Sequence, residues 1–174
     1  MTRVVIGIGS NIEPERHIVA ALDALSSVYG ELLVSPVYES EAIGFAGPAF
    51  LNLVVALDTE QPLRDLSQQL LTIERGNNYL GGAEKFSSRT LDLDLLLYGD
   101  LVGVFGSVKL PRADIVDYAY TLWPLVDIAG DARHPVSGLA YRELKKQFLP
   151  QQKLRRIPFV WNGKELSGAR QTAC

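Results

Sequence analysis

One cysteine, two histidines and two tryptophans are all that these 174 residues hold of those types, and the scarcity is informative. The cysteine, Cys174, is the last residue, so no internal disulfide can hold the chain together. No apolar run approaches the length of a membrane span. No hydrophobic leader follows Met1-Thr2-Arg3, because the apolar stretch there is broken by glycines. Neither sign of charge dominates: the net charge is −3, which argues against a nucleic acid or an anionic membrane as partner. There is also no internal repeat and no low-complexity tract. What remains is 47% apolar and 21% charged residues, the balance of an ordinary globular domain with a real core. The expectation is a cytoplasmic enzyme or binding domain, monomeric and acting on small molecules.

Periodicity supplies the elements. Val4 to Gly9 reads as a strand. Residues 14 to 29 read as a helix, with Pro14 in its first turn, Ile18, Leu22, Leu25 and Tyr29 on one face, and Gly30 to stop it. Glu31 to Ser40 and Ala49 to Thr59 read as strands, and residues 62 to 75 as a second helix through Leu63, Leu66, Leu70 and Ile73. A loop over 76 to 88 carries three glycines and paired serines, a composition that favours movement. Another strand follows. This β-α-β-β-α-β order predicts an α+β, ferredoxin-like sandwich with a central antiparallel sheet and helices packed on it. Residues 1–160 are expected to form one domain and 161–174 a tail. Lys145, Lys146, Lys153, Arg155 and Arg156 make a short basic cluster before that tail, which reads as a solvated face and a loose terminus.

The strand after the loop is the most informative stretch: Arg89-Thr90-Leu91-Asp92-Leu93-Asp94-Leu95-Leu96-Leu97. Alternation puts Thr90, Asp92 and Asp94 on one face and Leu91, Leu93, Leu95 and Leu97 on the other. Two carboxylates then sit about 7 Å apart along a rigid element. Beside an apolar stripe they need a compensating cation, part of it from Arg89 and the rest from a divalent metal. Hard oxygen ligands suit Mg²⁺, which completes its shell with water and substrate phosphate. A bare Asp-x-Asp pair is also compatible with an edge strand carrying two solvated aspartates, or with nucleotidyl- and glycosyl-transferases.

Gly7-x-Gly9 after the first strand invites comparison with a dinucleotide-binding loop. Ile12 stands where the third glycine belongs, and the later strands do not alternate with helices, so that reading is rejected. The glycines are expected to make a tight turn that presents Ser10 and Asn11.

Taken with its surroundings, Arg89-Thr90-Leu91-Asp92-Leu93-Asp94-Leu95 resembles the signature of the 6-hydroxymethyl-7,8-dihydropterin pyrophosphokinase family. Ile6-Gly7-Ile8-Gly9-Ser10-Asn11 is similar to the family's opening strand and loop. Phe50-Leu51-Asn52, Leu70-Leu71-Thr72-Ile73-Glu74, Leu110-Pro111 and Leu122-Trp123-Pro124-Leu125 resemble further blocks, all in the family's order. The resemblance implies ATP as co-substrate and two Mg²⁺ ions held by Asp92 and Asp94. It implies Phe50 and Tyr120 stacked on a pterin, with Asn52 and the backbone at Ser40, Ala42 and Ile43 along the pterin's edge. It implies Glu74, Arg89 and Arg112 around the nucleotide, with Arg89 and Arg112 in catalysis.

The chain departs from the family pattern in places. Asn78-Tyr79-Leu80-Gly81 and Phe86-Ser87-Ser88 stand where the family carries arginines and a Trp-Gly-Pro run. Arg112 replaces a histidine and Tyr118 an arginine. Lys85, Arg75 and Arg112 are candidates to restore the lost charge. The implied reaction moves pyrophosphate from ATP to the hydroxymethyl oxygen and releases AMP. His17 and His134 lie outside the matching blocks, so no general base is assigned. Two other readings stay open: a relative that binds pterin or nucleotide without transfer, and a nucleotidyltransferase on a similar scaffold.

Overall fold

The computed structural model describes residues 1–42, 46–77, 90–148 and 153–167. The elements run β1 (Thr2–Ser10), α1 (Pro14–Tyr29), β2 (Leu33–Val34), β3 (Val37–Ser40), β4 (Phe50–Thr59), α2 (Leu63–Gly76) and β5 (Asp92–Tyr98). Then follow β6 (Gly103–Phe105), β7 (Val108–Leu110), α3 (Asp114–Asp117), α4 (Ala119–Ala129), α5 (Tyr141–Gln147), β8 (Leu154–Ile157), β9 (Val160–Trp161) and β10 (Lys164–Glu165). The main sheet has the order β5-β1-β4-β3-β8, with β2 also paired to β4, and every pairing in it is antiparallel. The result is a mixed α/β fold with helices on both faces of a central antiparallel sheet.

Alternation decides which side chain meets which layer. Val4, Ile6 and Ile8 of β1 and Leu51, Leu53, Val55 and Leu57 of β4 meet α1 and α2, where Ile18, Leu22, Leu25, Leu66, Leu70 and Ile73 complete one core. Val5, Val54 and Ala56 point the other way and pack with Ile115, Leu122, Leu125 and Tyr141 from α3, α4 and α5. Burying a leucine or isoleucine side chain contributes about 1.5–3 kcal/mol, so the two layers hold the sheet rigidly.

Three sequence expectations change. The strand expected over Glu31–Ser40 is two strands broken at Ser35-Pro36. Proline has no N–H for the ladder. The Ser35 hydroxyl repairs the break, accepting from the Val54 N–H at 2.8 Å and donating to the Pro36 carbonyl at 2.8 Å.

The apolar face of β5 is also not the simple alternation predicted. Leu91, Leu93 and Leu95 join the first core, but Leu97 joins Leu96 in the second. The register of β1 against β5 slips between Val5 and Ile6, pairing Val5 with Leu97 and Ile6 with Leu95. One inserted residue turns the following side chains to the opposite face.

The third change concerns the segment of the basic cluster: Leu154–Ile157 is β8, an edge strand paired with β3, while Lys146, Lys153, Arg155 and Arg156 are exposed, the solvated face expected of them. Its arginines are spent on individual partners: Arg155 Nη2 donates to Glu39 at 3.0 Å, and Arg156 Nη2 to Asp127 Oδ1 at 3.0 Å and the Tyr38 hydroxyl at 3.1 Å. Lys145 lies over the Trp123 ring, 5.0 Å from its centroid. Beyond β8, the Trp161 indole N–H donates to Asp23 at 2.9 Å and the Ser167 hydroxyl accepts from the Val37 N–H at 2.8 Å. These contacts dock residues 161–167 on the body of the fold. No helix among the described residues is long and apolar enough to cross a membrane.

Candidate active site

Asp92, Asp94, Asn52 and Ser40, four of the expected site residues, share the second face of the sheet, at the end that β1 leaves bare. Pairing registers Asp92 with Gly9, Gly9 with Asn52, Asn52 with Tyr38 and Tyr38 with Arg156, so these five residues form one row across β5, β1, β4, β3 and β8. Asp94 sits in the next row, opposite Gly7, which in turn faces Val54. With strands about 4.8 Å apart, Asp92 and Asn52 stand about 10 Å from each other across a glycine-floored trough.

This corrects the expectation for the two glycines. Gly7 and Gly9 lie inside β1 and make no turn. A Cβ on Gly9 would lie 3.3 Å from Asn52 Oδ1, so the missing side chain is what lets Asn52 lean over β1. Ser10 and Asn11 are buried braces. The Ser10 hydroxyl donates to the Thr90 carbonyl, and Asn11 Nδ2 donates to the Pro48 carbonyl at 3.1 Å. They tie the approaches of β5 and β4 to the end of β1.

On the β4 side of the trough, Asn52 Nδ2 donates to the Ser40 hydroxyl at 2.8 Å, and Ser40 pairs in register with Phe50. Asn52 and Ser40 are buried, while Phe50 and Ala42 are half-buried. Asn52 and Ser40 of the expected pterin edge and Phe50 of the expected stack are thus neighbours. Tyr120, the expected opposing ring, begins α4 and stacks on Tyr118 with centroids 4.9 Å apart and planes 14° from parallel. Burial raises the Tyr120 hydroxyl pKa above its ordinary value, and the nearby Asp114, Tyr118, Asp94 and Asp92 raise it further. That ring is therefore adjacent to the carboxylates. Ile43 and Arg89 lie outside the described residues, as do Lys85 and the loop from residue 78 on.

On the β5 side the electrostatics are demanding. Asp94 keeps 26% of its side-chain surface exposed and pairs with Arg112 Nη2 at 3.2 Å. Burial pushes the Asp94 carboxyl up to about 8, reinforced by Asp92, Asp114 and Glu74 and only partly offset by Arg112. Among the described residues, Arg112 offsets only part of that push. Two carboxylates so held suit a hard divalent cation. No cluster of three or more acidic, histidine or cysteine ligands gathers among the described residues, so such an ion would complete its shell with water and phosphate oxygens.

Arg112 is held by its backbone, whose N–H donates to the Leu96 carbonyl at 3.0 Å. Its Nε lies 3.2 Å from Asp114 Oδ2. Burial opposes its charge, but Asp94, Asp114 and Asp92 outweigh that and hold the guanidinium above its ordinary pKa. Asp114 went unnoticed in the sequence, where only its spacing of two from Arg112 gave a sign. Glu74 is no surface helix-end residue: it is 6% exposed, and its Oε1 accepts the Leu93 N–H at 2.7 Å. A cavity of about 160 Å³ lies beside it, lined among others by Ser67, Leu70, Glu74, Asp94, Lys109 and Arg112. Both histidines are buried and engaged, His17 Nδ1 with Asn77 Oδ1 at 3.0 Å and His134 Nδ1 with the N–H groups of Val136 and Ser137.

Residues 5–130 match the family model of 7,8-dihydro-6-hydroxymethylpterin-pyrophosphokinase (HPPK). The chain belongs to the HPPK family. It is 39% identical over 137 residues to the 2-amino-4-hydroxy-6-hydroxymethyldihydropteridine pyrophosphokinase of Pseudomonas aeruginosa, covering 76% of this chain and 84% of that one. To the enzyme of the same name from Haemophilus influenzae it is 33% identical over 164 residues, 91% of this chain and all of the other. Among solved structures, Plasmodium falciparum HPPK-DHPS superposes with a TM-score of 0.65 over 84% of this chain at 14% identity, a likeness of fold. The chain spans only 43% of that longer protein. The matched span of the HPPK model takes in β1 from Val5 on, β3, β4, β5, α3 and α4, and so Gly9, Ser40, Asn52, Asp92, Asp94, Arg112 and Tyr120.

Proposed function

We propose that this chain transfers pyrophosphate from ATP to 6-hydroxymethyl-7,8-dihydropterin and releases AMP, the step that membership of the HPPK family supports. The observation that carries the reading is the registered row in which Asp92 faces Asn52 across Gly9, with Asp94 in the next row opposite Gly7 and Ser40 hydrogen-bonded to Asn52. A flat heterocycle between Phe50 and Tyr120 gains on the order of 1 kcal/mol per face from stacking beyond its burial. Asn52 and the backbone at Ser40, Ala42 and Ile43 read its amide-like edge with donors and acceptors. The cavity flanked by Glu74 and Arg112 takes the nucleotide, with Arg89 and Arg112 on its phosphates.

The pterin's hydroxymethyl oxygen forms a bond to the β-phosphorus as that atom's bond to the α,β-bridging oxygen breaks; AMP leaves with that oxygen, and the hydroxyl proton passes to water. Bound Mg²⁺, two ions in this reading, would neutralise the phosphate charge and align the attacking and leaving oxygens. Asp92 and Asp94 hold them, Arg89 and Arg112 bind phosphate oxygens through their guanidinium forks, and the trough walls keep the two substrates in line. The sheet order β5-β1-β4-β3 supports a ferredoxin-like arrangement, extended here by β8. A monomer in the cytoplasm is the working form.

Incubation of folded protein with Mg-ATP and the dihydropterin should yield AMP in step with the pyrophosphorylated pterin. Pyrophosphate release instead of AMP would mark a nucleotidyltransferase, and tight pterin binding without AMP a non-catalytic binder.

A further inference from the structure

Arg112 makes two ionic contacts of different kinds. Nε lies beside Asp114, which is 16% exposed and opens α3, an element joined to Arg112 through the Ile115 N–H donating to the Arg112 carbonyl at 3.2 Å. Nη2 lies beside Asp94. The first contact stays within one local turn, whereas the second reaches a carboxylate of the β5 pair. Both donor groups belong to one planar guanidinium, so the side chain spans the pair and its own support at once.

A divalent cation arriving at Asp94 Oδ1 competes with the guanidinium that now faces that oxygen, and the two like charges repel each other. Twice the charge at shorter range favours the metal at that oxygen. Once Nη2 is released, the Asp114 charge, 3.2 Å from Nε without a formed hydrogen bond, still attracts the guanidinium, and Arg112 already lines the cavity beside Glu74 and Lys109. A small rotation suffices to aim the freed edge of the fork at a phosphate.

We propose that Arg112 is the resident counter-cation of Asp94, displaced by the arriving divalent ion, and that Asp114 is the positioning residue that then holds the guanidinium ready for the triphosphate. This rests on the reading of Asp92 and Asp94 as cation ligands and adds an exchange of partners to it. The exchange links cation arrival to phosphate capture.

The test uses Mn²⁺ alone as probe, titrated into the whole chain without nucleotide and followed by electron paramagnetic resonance. Arg112→Gln removes the competing charge and is expected to tighten Mn²⁺ binding about three- to five-fold, the scale of a partly exposed ion pair. In the same variant the KM for ATP rises. Asp114→Ala is expected to raise the KM for ATP with a smaller effect on kcat, and Asp114→Glu, which keeps the charge beside Nε, to restore most of the loss. Unchanged or weaker Mn²⁺ binding in Arg112→Gln overturns the exchange. So does an Asp114→Glu variant as impaired as Asp114→Ala. Asp92→Asn separates the two readings: if it leaves wild-type Mn²⁺ binding untouched, the cation-ligand reading itself falls. If it abolishes binding while Arg112→Gln changes nothing, only the exchange falls.

Discussion

The buried Glu74 carboxylate accepts a hydrogen bond from the backbone N–H of Leu93, the residue that separates Asp92 from Asp94. Strand β5 is at the edge of the main sheet, so its outward N–H groups need a partner from elsewhere. Helix α2 provides one through this single side chain. The pitch of the aspartate pair is thereby tied to a residue on another element.

Glu74→Ala should therefore destabilise the fold by about 1–3 kcal/mol, the cost of a buried donor left unmade. Glu74→Gln keeps an acceptor and should retain most of the stability. Denaturant unfolding of the three proteins checks this. Equal midpoints for the alanine variant and wild type would remove Glu74 from the support of β5.

Asp94 supplies a pH signature. Its carboxyl titrates near 8 in the fold against an ordinary value of 3.8, so the folded chain holds a proton that the unfolded chain has lost between those values. A carboxyl raised in this way contributes stability that is fully present below the ordinary value and disappears as pH rises through the folded one. The metal-free wild type should lose stability relative to Asp94→Asn as pH is raised from about 4 to about 8. Urea midpoints of both proteins across that window measure it, and a pH-independent difference between them would contradict the raised carboxyl.

Gly9 tests the trough floor. A methyl at that position presses on Asn52 Oδ1 from 3.3 Å and must push the amide away from Ser40. Gly9→Ala should raise the KM for the pterin several-fold, with a melting temperature close to wild type because β-strand backbone accepts alanine. An unchanged KM would show that Asn52 does not depend on the bare strand.

Arg156 tests the docking of the last strand. It donates to both Tyr38 and Asp127, linking β8, β3 and α4. Replacing it with leucine should cost on the order of 1 kcal/mol, a partly exposed charged network losing its cation. Amide exchange along Leu154–Ile157 should quicken more than exchange in β1. Uniform exchange rates in the variant would place the anchoring of β8 elsewhere.

Much of this molecule was legible in the chain because it is governed by local rules. Pro14 and Gly30 bracket α1, alternation separates the two faces of β1 and β4, and the Asp92–Asp94 spacing puts both carboxylates on one side of a strand. Periods of 3.6 and 2 are properties of a few neighbouring residues, and so is a motif. The slip that sends Leu97 to the second core was not legible, because a bulge is a relation between β5 and β1. Nor was the fate of Arg155 and Arg156, since their partners Glu39 and Asp127 come from distant segments. The same holds for Gly9: in sequence it resembles a turn residue, and only the neighbouring β4 reveals that it makes room for Asn52. What the sequence determined by itself was the run of elements from β1 to β5, apart from the break between β2 and β3, together with the family and the acidic pair. Tertiary structure decided which cation meets Asp94, which carboxylate steadies Leu93 and which residue supports Arg112. Each of those is an electrostatic balance summed over side chains brought together from different elements, and burial sets its size.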